Sequence, residues 1–366
     1  MNKKILFISP YPKDKAPSQR LKYEQYYSIF NESGFQAFEN SFMSLQLWAI
    51  LYKKGFFLKK TVLTLAGYIR RYMLLFKIKN YDIIYVHLWG TPFGTTFYEQ
   101  VLRKLSNKLV YDIDDMVFLK DTNEANKISK FIKGKSKSIY LMKVADHVIT
   151  CTQKLDDFVK QFNPKTTNIS STLDTAKRYK AREKYDFDNE IVLGWSGSYT
   201  TSKYLYLLSD VFKSLAEKLS FKLIVLGDPA FRIEGVRVEA IHWREELEIE
   251  TLKKFDIGLY PLPDEPWVYG KSGLKAIQYM ALGIPTIATG IGTNFNIITD
   301  GDNGFLISPG AYDLWEDRIL KLLHDSLLRS SIGRAARKSI EEKYSLEQNK
   351  NKYLDVFRSF TSTPKS

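Results

Sequence analysis

Three clusters of residues in this chain have the types and spacing for chemistry. The first is Gly270-Lys271-Ser272, in VYGKSGLKAIQYMALGIPTIATG (268–290), at the start of a helical pattern. The N–H groups of a helix N-terminus attract anions, and a lysine beside them adds a point charge, so this is a phosphate-binding arrangement. It also copies the tail of a nucleotide-binding P-loop. That motif needs a glycine five residues before its lysine's glycine, directly after a buried strand. Position 265 is Glu265, and the preceding apolar run FDIGLYPL ends too early, so the ATPase reading fails. The second cluster is Asp112-x-Asp114-Asp115 in VYDIDDMVF, at the end of an apolar run. Asp114 and Asp115 are the candidate catalytic residues: close carboxylates drive one pKa up and suit acid or base work on a hydroxyl. The alternative is a solvated turn or a helix cap. Asp112-x-Asp114 also has the spacing of a metal-dependent D-x-D transferase. The third set is Arg20, after the first apolar run, and His87, at the end of the second. Either can line an acceptor site or a cleft; Arg20 can equally be a helix-face salt bridge and His87 a satisfied edge histidine.

The elements that must position these groups are short and alternate in type. Buried strands are predicted at Lys3–Ser9, Asp82–His87, Lys108–Ile113 and Asp146–Thr152, with helices between them, including Ser18–Ser33 and Pro92–Ser106. The pattern restarts with strands at Glu190–Gly197, Phe221–Gly227, Val236–Ile241, Phe255–Pro261 and Ile284–Thr289. Two βαβα series imply two parallel-sheet α/β domains, 1–187 and 188–366. The charged stretch Asp174–Glu190 is the expected linker. Ligands of open α/β sheets bind at the carboxyl ends of the strands, and two such domains facing each other make a cleft.

Composition narrows the partners. The 366 residues carry a net charge of +13 with a hydrophobic share of 44%, which fits a globular protein drawn to polyanions. One cysteine, Cys151, excludes an internal disulfide and a thiolate zinc site. The start MNKKILFISPYP is too short in its apolar run for a signal-peptide core, and no apolar run spans a bilayer, so a cytoplasmic location is expected. Ser41–Asn80 holds Trp48, Tyr52, Phe56, Phe57, Tyr68 and Tyr72 with eight Lys and Arg residues and no Asp or Glu. Aromatic and basic residues together suit a helix lying on an anionic membrane face. An ordinary core helix with solvated lysines is the alternative. No nucleic-acid motif accompanies the charge, so no nucleic-acid partner is expected.

The second half resembles the retaining GT-B-fold glycosyltransferases of the family 4 type. VLGWSGSYTTSKYLYLL (192–208) looks like that family's glycine loop and lysine, and residues 255–307 look like its donor signature, through YMALGIP to DGDNGFLI. NISSTLDT (168–175) resembles the turn before the interdomain linker. The resemblance implies two Rossmann-like domains and a C-terminal helix, about 344–362, crossing back to the first domain. It implies transfer of a sugar from a UDP- or GDP-sugar to a lipid-linked or oligosaccharide acceptor of surface polysaccharide, at the inner membrane face, with no metal or other cofactor. A nucleotide-sugar epimerase or hydrolase on the same fold, or a non-catalytic glycan- or nucleotide-binding partner, are the alternatives. The donor diphosphate would meet Gly197, Ser198, Lys203, Lys271 and Ser272. Ser198 stands where the family usually has arginine, so Lys271 would supply that charge. Gln278, Trp243 and Glu246 would meet the ribose and base. The family's E-x7-E pair falls on Gly270 and Gln278, so both glutamates are absent. The catalytic histidine of many relatives aligns near Asp114.

Overall fold

The computed structural model describes residues 2–114, 135–183, 185 and 190–361. They form two units: Met1–Thr172 with Asn349–Ser366, and Leu173–Gln348. In the first unit the strands are β1 (Lys3–Ser9), β2 (Phe35–Ser41), β3 (Ile83–His87), β4 (Lys108–Asp112), β5 (His147–Thr150) and β6 (Thr166–Asn168). They make one parallel sheet in the order β2-β1-β3-β4-β5-β6. In the second unit β7 (Ile191–Ser196), β8 (Phe221–Leu226), β9 (Val238–Ile241), β10 (Ile257–Tyr260), β11 (Thr286–Thr289) and β12 (Phe305–Ile307) form a second parallel sheet, ordered β12-β11-β10-β7-β8-β9. Parallel strands need helical crossovers, and helices on both faces explain why the central strands read as unbroken apolar runs.

Every predicted strand exists, trimmed by a residue or two at its ends. Three strands escaped the sequence reading, all at sheet edges: β2, β6 and β12. The edge strand β2 buries only Phe35 of its seven residues, and β6 is the polar tripeptide Thr-Thr-Asn. The helix expected over Ser18–Ser33 is broken into Pro17–Arg20, a 3-10 turn at Glu24–Tyr26, and Tyr27–Glu32. Tyr23, Tyr26 and Phe30 are buried there: Tyr23 and Phe30 stack with Phe7, Tyr23 also meets Tyr85, and Tyr26 stacks with Phe30. The side-chain demand of that aromatic layer outweighs a regular helix.

The stretch expected as a linker is tied into the second unit in its described part. Tyr179 is fully buried, the Arg182 amide donates to Leu282 O at 3.0 Å, and the Arg182 guanidinium lies 3.6 Å from Asp256. At the chain's end, the helix Leu346–Ser359 brings Tyr353 and Phe357 against Tyr26 and Phe30 of the first unit.

The basic, aromatic segment forms two helices, Leu45–Ile50 and Phe57–Leu75. The longer one is held by one face. Fully buried Arg71 donates to Ser9 O and to Asn40 O, and a Cβ on Gly67 would come within 2.9 Å of Phe42 O. Its opposite face leaves Leu58, Val62, Leu65, Ile69, Met73 and Phe76 exposed, at steps of four and three residues. Among the described residues no helix is long and apolar enough to cross a membrane.

Candidate active site

In the second unit the expected phosphate residues gather beyond the carboxyl ends of β7 and β10. The Gly197 amide donates to Leu226 O at 2.9 Å, continuing the β7–β8 ladder into the loop. Gly227 has φ +119°, and a Cβ there would lie 1.6 Å from Gly197 O, so two glycine backbones pass in contact. A Cβ on Gly197 itself would meet the Trp195 ring at 2.5 Å and Lys275 Cε at 2.6 Å. Both glycines are therefore required by packing: their missing Cβ atoms leave room for Trp195, Lys275 and the crossing backbone. Ser198 is exposed; its hydroxyl pairs with Thr200 at 2.7 Å and its carbonyl accepts from the Thr201 and Ser202 amides. Lys203 is exposed in the 3-10 segment Ser202–Leu208, its Nζ 5.3 Å from the Tyr204 ring centre.

The helix expected to begin near Ser272 runs Leu274–Ala281. Gly273 delays its start: it adopts φ +71°, and a Cβ there would sit 2.2 Å from Ile297 Cδ1. Its N-cap residue, Gly273, has no side chain to offer the amides of the first turn, which also lack intrahelical acceptors. Lys271 lies just before it in extended backbone, with Nζ 4.7 Å from the Trp267 ring centre. Trp267 packs 6.0 Å from Tyr204. Lys203, Tyr204, Trp267 and Lys271 thus form one row of cations and aromatic faces.

Lys275 is the residue the sequence reading missed. It occupies the first turn of the helix, with Nζ 5.3 Å from the Trp195 ring centre and 5.1 Å from that of Tyr260. Burial and the neighbouring Lys271 charge push its ammonium down to about 7. The sequence signal was the Lys-x-x-x-Lys spacing, which gives no hint of the two rings.

Gln278, Trp243 and Glu246 separate into two groups. Buried Gln278 donates from Nε2 to the Tyr179 hydroxyl at 3.0 Å and to Glu248 Oε1 at 3.2 Å, where the Trp243 indole N–H also donates at 3.2 Å. Glu246 is exposed on the same helix as Glu248 and does not join them. Glu248, not Glu246, is the acidic residue at this point.

The first unit holds a buried charge cluster at its sheet. His87 and Asp112 are register partners on β3 and β4, and His87 Nδ1 lies 2.7 Å from Asp112 Oδ2. The Lys22 ammonium bonds the other carboxylate oxygen, and all three side chains are fully buried. Burial works to raise the Asp112 carboxyl, but Lys22 and then His87 hold it below its usual range. His87, expected at a cleft or acceptor site, is thus a buried partner of Asp112. Both Asp112 oxygens are engaged, which leaves the D-x-D reading without its first ligand. Among the described residues no group of three or more His, Cys, Asp or Glu side chains is placed to hold a metal. Asp114, two residues further on, is half-buried, with its carbonyl accepting from Cys151 Sγ at 2.7 Å. Asp115 lies outside the described residues. Arg20 is buried at the end of its short helix.

Residues 190–325 match the family model for glycosyl transferases group 1. The capsular polysaccharide biosynthesis glycosyltransferase CapM of Staphylococcus aureus is 26% identical over 180 residues, covering 45% of this chain and 46% of CapM. The match thus spans about half the length of that relative. Sucrose-phosphate synthase from Thermosynechococcus elongatus superposes with a TM-score of 0.72 at 14% identity, over 98% of this chain and 99% of that one. The Anabaena protein HepE, solved in complex with UDP and glucose, gives 0.66 at 17% identity, over 98% and 100%. Together with the two parallel six-stranded sheets, these likenesses show a GT-B fold.

Proposed function

We propose that the chain is a glycosyltransferase that moves a sugar from a UDP- or GDP-sugar to a lipid-linked glycan acceptor of surface polysaccharide, a reading supported by the match of residues 190–325 to the model for glycosyl transferases group 1. The observation that carries this reading is the row of Lys203 and Lys271 beside an uncapped helix start and a bare glycine junction. A nucleoside diphosphate is a compact dianion or trianion, and such a surface offers it lysine charges and backbone N–H donors together. The UDP held by HepE supports the uridine form.

The reaction is a displacement at the anomeric carbon. The bond from that carbon to the diphosphate oxygen breaks as the bond to the acceptor oxygen forms on the same face, which retains configuration. The acceptor's hydroxyl proton passes to the departing phosphate oxygen. Charge grows on the diphosphate along this path, and fixed cations lower the barrier most where charge grows. Lys203 and Lys271 fill the role a divalent metal has in other transferases, so chelators are expected to leave the rate unchanged. Asp114 and Asp115, which follow β4 in the sequence, are assigned to acceptor or donor hydroxyls.

The membrane part of the reading rests on the helix Phe57–Leu75. Its outward apolar stripe is bordered by exposed Lys59, Arg70 and Lys77, and exposed Lys53 and Lys54 precede it. Those cations fit an anionic leaflet, and a lipid-linked acceptor would be presented there. CapM, named for capsular polysaccharide biosynthesis, supports the surface-polysaccharide part of the reading.

The test is an assay with UDP-glucose, UDP-N-acetylglucosamine and GDP-mannose in the presence of extracted bacterial membrane lipids, followed by proton NMR of the product. A glycosylated lipid with the donor's anomeric configuration is expected. An inverted product refutes retention. Free sugar released without acceptor glycosylation points instead to a hydrolase.

A further inference from the structure

We propose that Lys275 is a third cation of the donor-diphosphate site and replaces the arginine absent at Ser198. This rests on the nucleotide-sugar reading above.

The geometry begins with Gly197. Its missing Cβ is what lets Lys275 Cε stand 2.6 Å from that point, so the lysine stem is packed directly on the glycine loop. The ammonium then lies between Trp195, at the carboxyl end of β7, and Tyr260, the last residue of β10. Both rings attract a cation, but neither accepts its three N–H donors. Among the described residues no carboxylate or carbonyl oxygen pairs with this ammonium. A half-buried ammonium beside a second ammonium and at the start of a helix is placed to gain from an anion that joins it. The Ser198 side chain is exposed and engaged by Thr200, so that position supplies no charge. Lys275 delivers a cation to the same loop from the helix instead.

One consequence concerns protons. With its ammonium pushed down to about 7, Lys275 is largely neutral in the empty site above that pH. An arriving diphosphate favours the charged form, so binding draws a proton from solution. The groups facing Lys275 are Lys271 from the preceding loop, Trp195 from β7 and Tyr260 from β10. None of these is a carboxylate that would hold the lysine charged.

The experiment is calorimetric titration of the full chain with UDP and GDP, with uridine and guanosine as phosphate-free controls, for wild type, Lys275→Met and Lys275→Arg. Methionine keeps the stem between the rings and removes the charge. We expect Lys275→Met to bind the preferred diphosphate roughly 10- to 100-fold more weakly, the range of a charge-assisted hydrogen bond, with nucleoside affinity unchanged. Lys275→Arg should restore part of the loss. Between pH 7 and 9 wild type should lose affinity and take up protons on binding, seen as a heat that depends on the buffer; Lys275→Met should do neither. Equal diphosphate affinity in wild type and Lys275→Met overturns the assignment, as does an equal loss for nucleoside and diphosphate, which marks a packing role. If wild type binds neither UDP nor GDP, the donor reading itself fails.

Discussion

Removing two apolar side chains from the exposed stripe should detach the protein from anionic membranes without unfolding it. Leu65 and Ile69 are 56% and 65% exposed, one turn apart at the centre of the helix Phe57–Leu75. Transferring a whole Leu or Ile side chain out of water is worth about 1.5–3 kcal/mol. Scaled by those exposures, insertion of the pair contributes about 2–4 kcal/mol. The double variant Leu65→Gln, Ile69→Gln keeps good helix formers and gives up most of that, so its vesicle partition coefficient should fall roughly 30- to 700-fold. The basic border acts separately: each of Lys59, Arg70 and Lys77 adds about 1 kcal/mol near an anionic surface, and salt screens it. The assay is sedimentation with vesicles of phosphatidylcholine containing phosphatidylglycerol, at low and high salt, with thermal unfolding as the folding control. The expected pattern is wild type pelleting at low salt, weaker pelleting at high salt, and the double variant remaining in solution with unchanged unfolding. Wild type that ignores anionic vesicles, or a double variant that pellets equally well, would refute the reasoning. In that case the stripe serves no bilayer, and the acceptor need not be membrane-bound.

Other perturbations test the two units separately. Lys271→Ala should lower kcat by roughly 10- to 1000-fold, the effect of deleting one preorganised donor to developing charge, with a smaller change in KM; a variant that changes only KM would show that Lys271 binds the ground state and transition state alike. Asp112→Asn should destabilise the chain by about 3–5 kcal/mol, because it strands the buried Lys22 charge, as read by denaturant unfolding. The sign with pH follows from the Asp112 carboxyl being held below its usual value. Its contribution is complete above the unfolded value of about 3.9 and is lost only as pH falls through the lower folded value. The gap between wild type and Asp112→Asn should therefore be constant from pH 8 to 5; a gap that closes by pH 6 would contradict the buried pair.

The parts of this molecule visible in the sequence are those whose physics is local. Strands β1, β3, β4, β7 and β8 are covered by helices on both sides, so their residues had to be apolar in succession, and a run such as KKILFIS announces itself. The edge strands carry no such obligation, and β6 contains no apolar residue at all. The same distinction divides the site. Gly270-Lys271-Ser272 was readable because a helix start and its lysine are neighbours in the chain. Lys275 was not, since its role depends on Trp195 eighty residues earlier and on a glycine whose missing Cβ makes room for it. The pairing of His87 with Asp112 depends on the register of two strands and on Lys22 arriving from elsewhere, and neither is written in the residues themselves.

The absent glutamates show why position alone misleads. Matching residues to a family pattern at position 278 finds Gln278 and scores a carboxylate as lost. In space, Glu248 from the neighbouring helix places its Oε1 3.2 Å from the Gln278 amide and 3.2 Å from the Trp243 indole. A carboxylate thus stands beside Gln278, carried by another helix. Gln278 uses its amide hydrogens to hold Glu248 and Tyr179, so under the proposed donor reading its carbonyl oxygen, rather than a carboxylate, is the group left for a ribose hydroxyl. The proposed phosphate end would show a parallel exchange, with serine at 198 and lysines at 271 and 275. A site that keeps its kinds of charge while changing the elements that carry them is constrained by its ligand's shape, since only a ligand-sized volume specifies where a charge must be without specifying which helix must bring it.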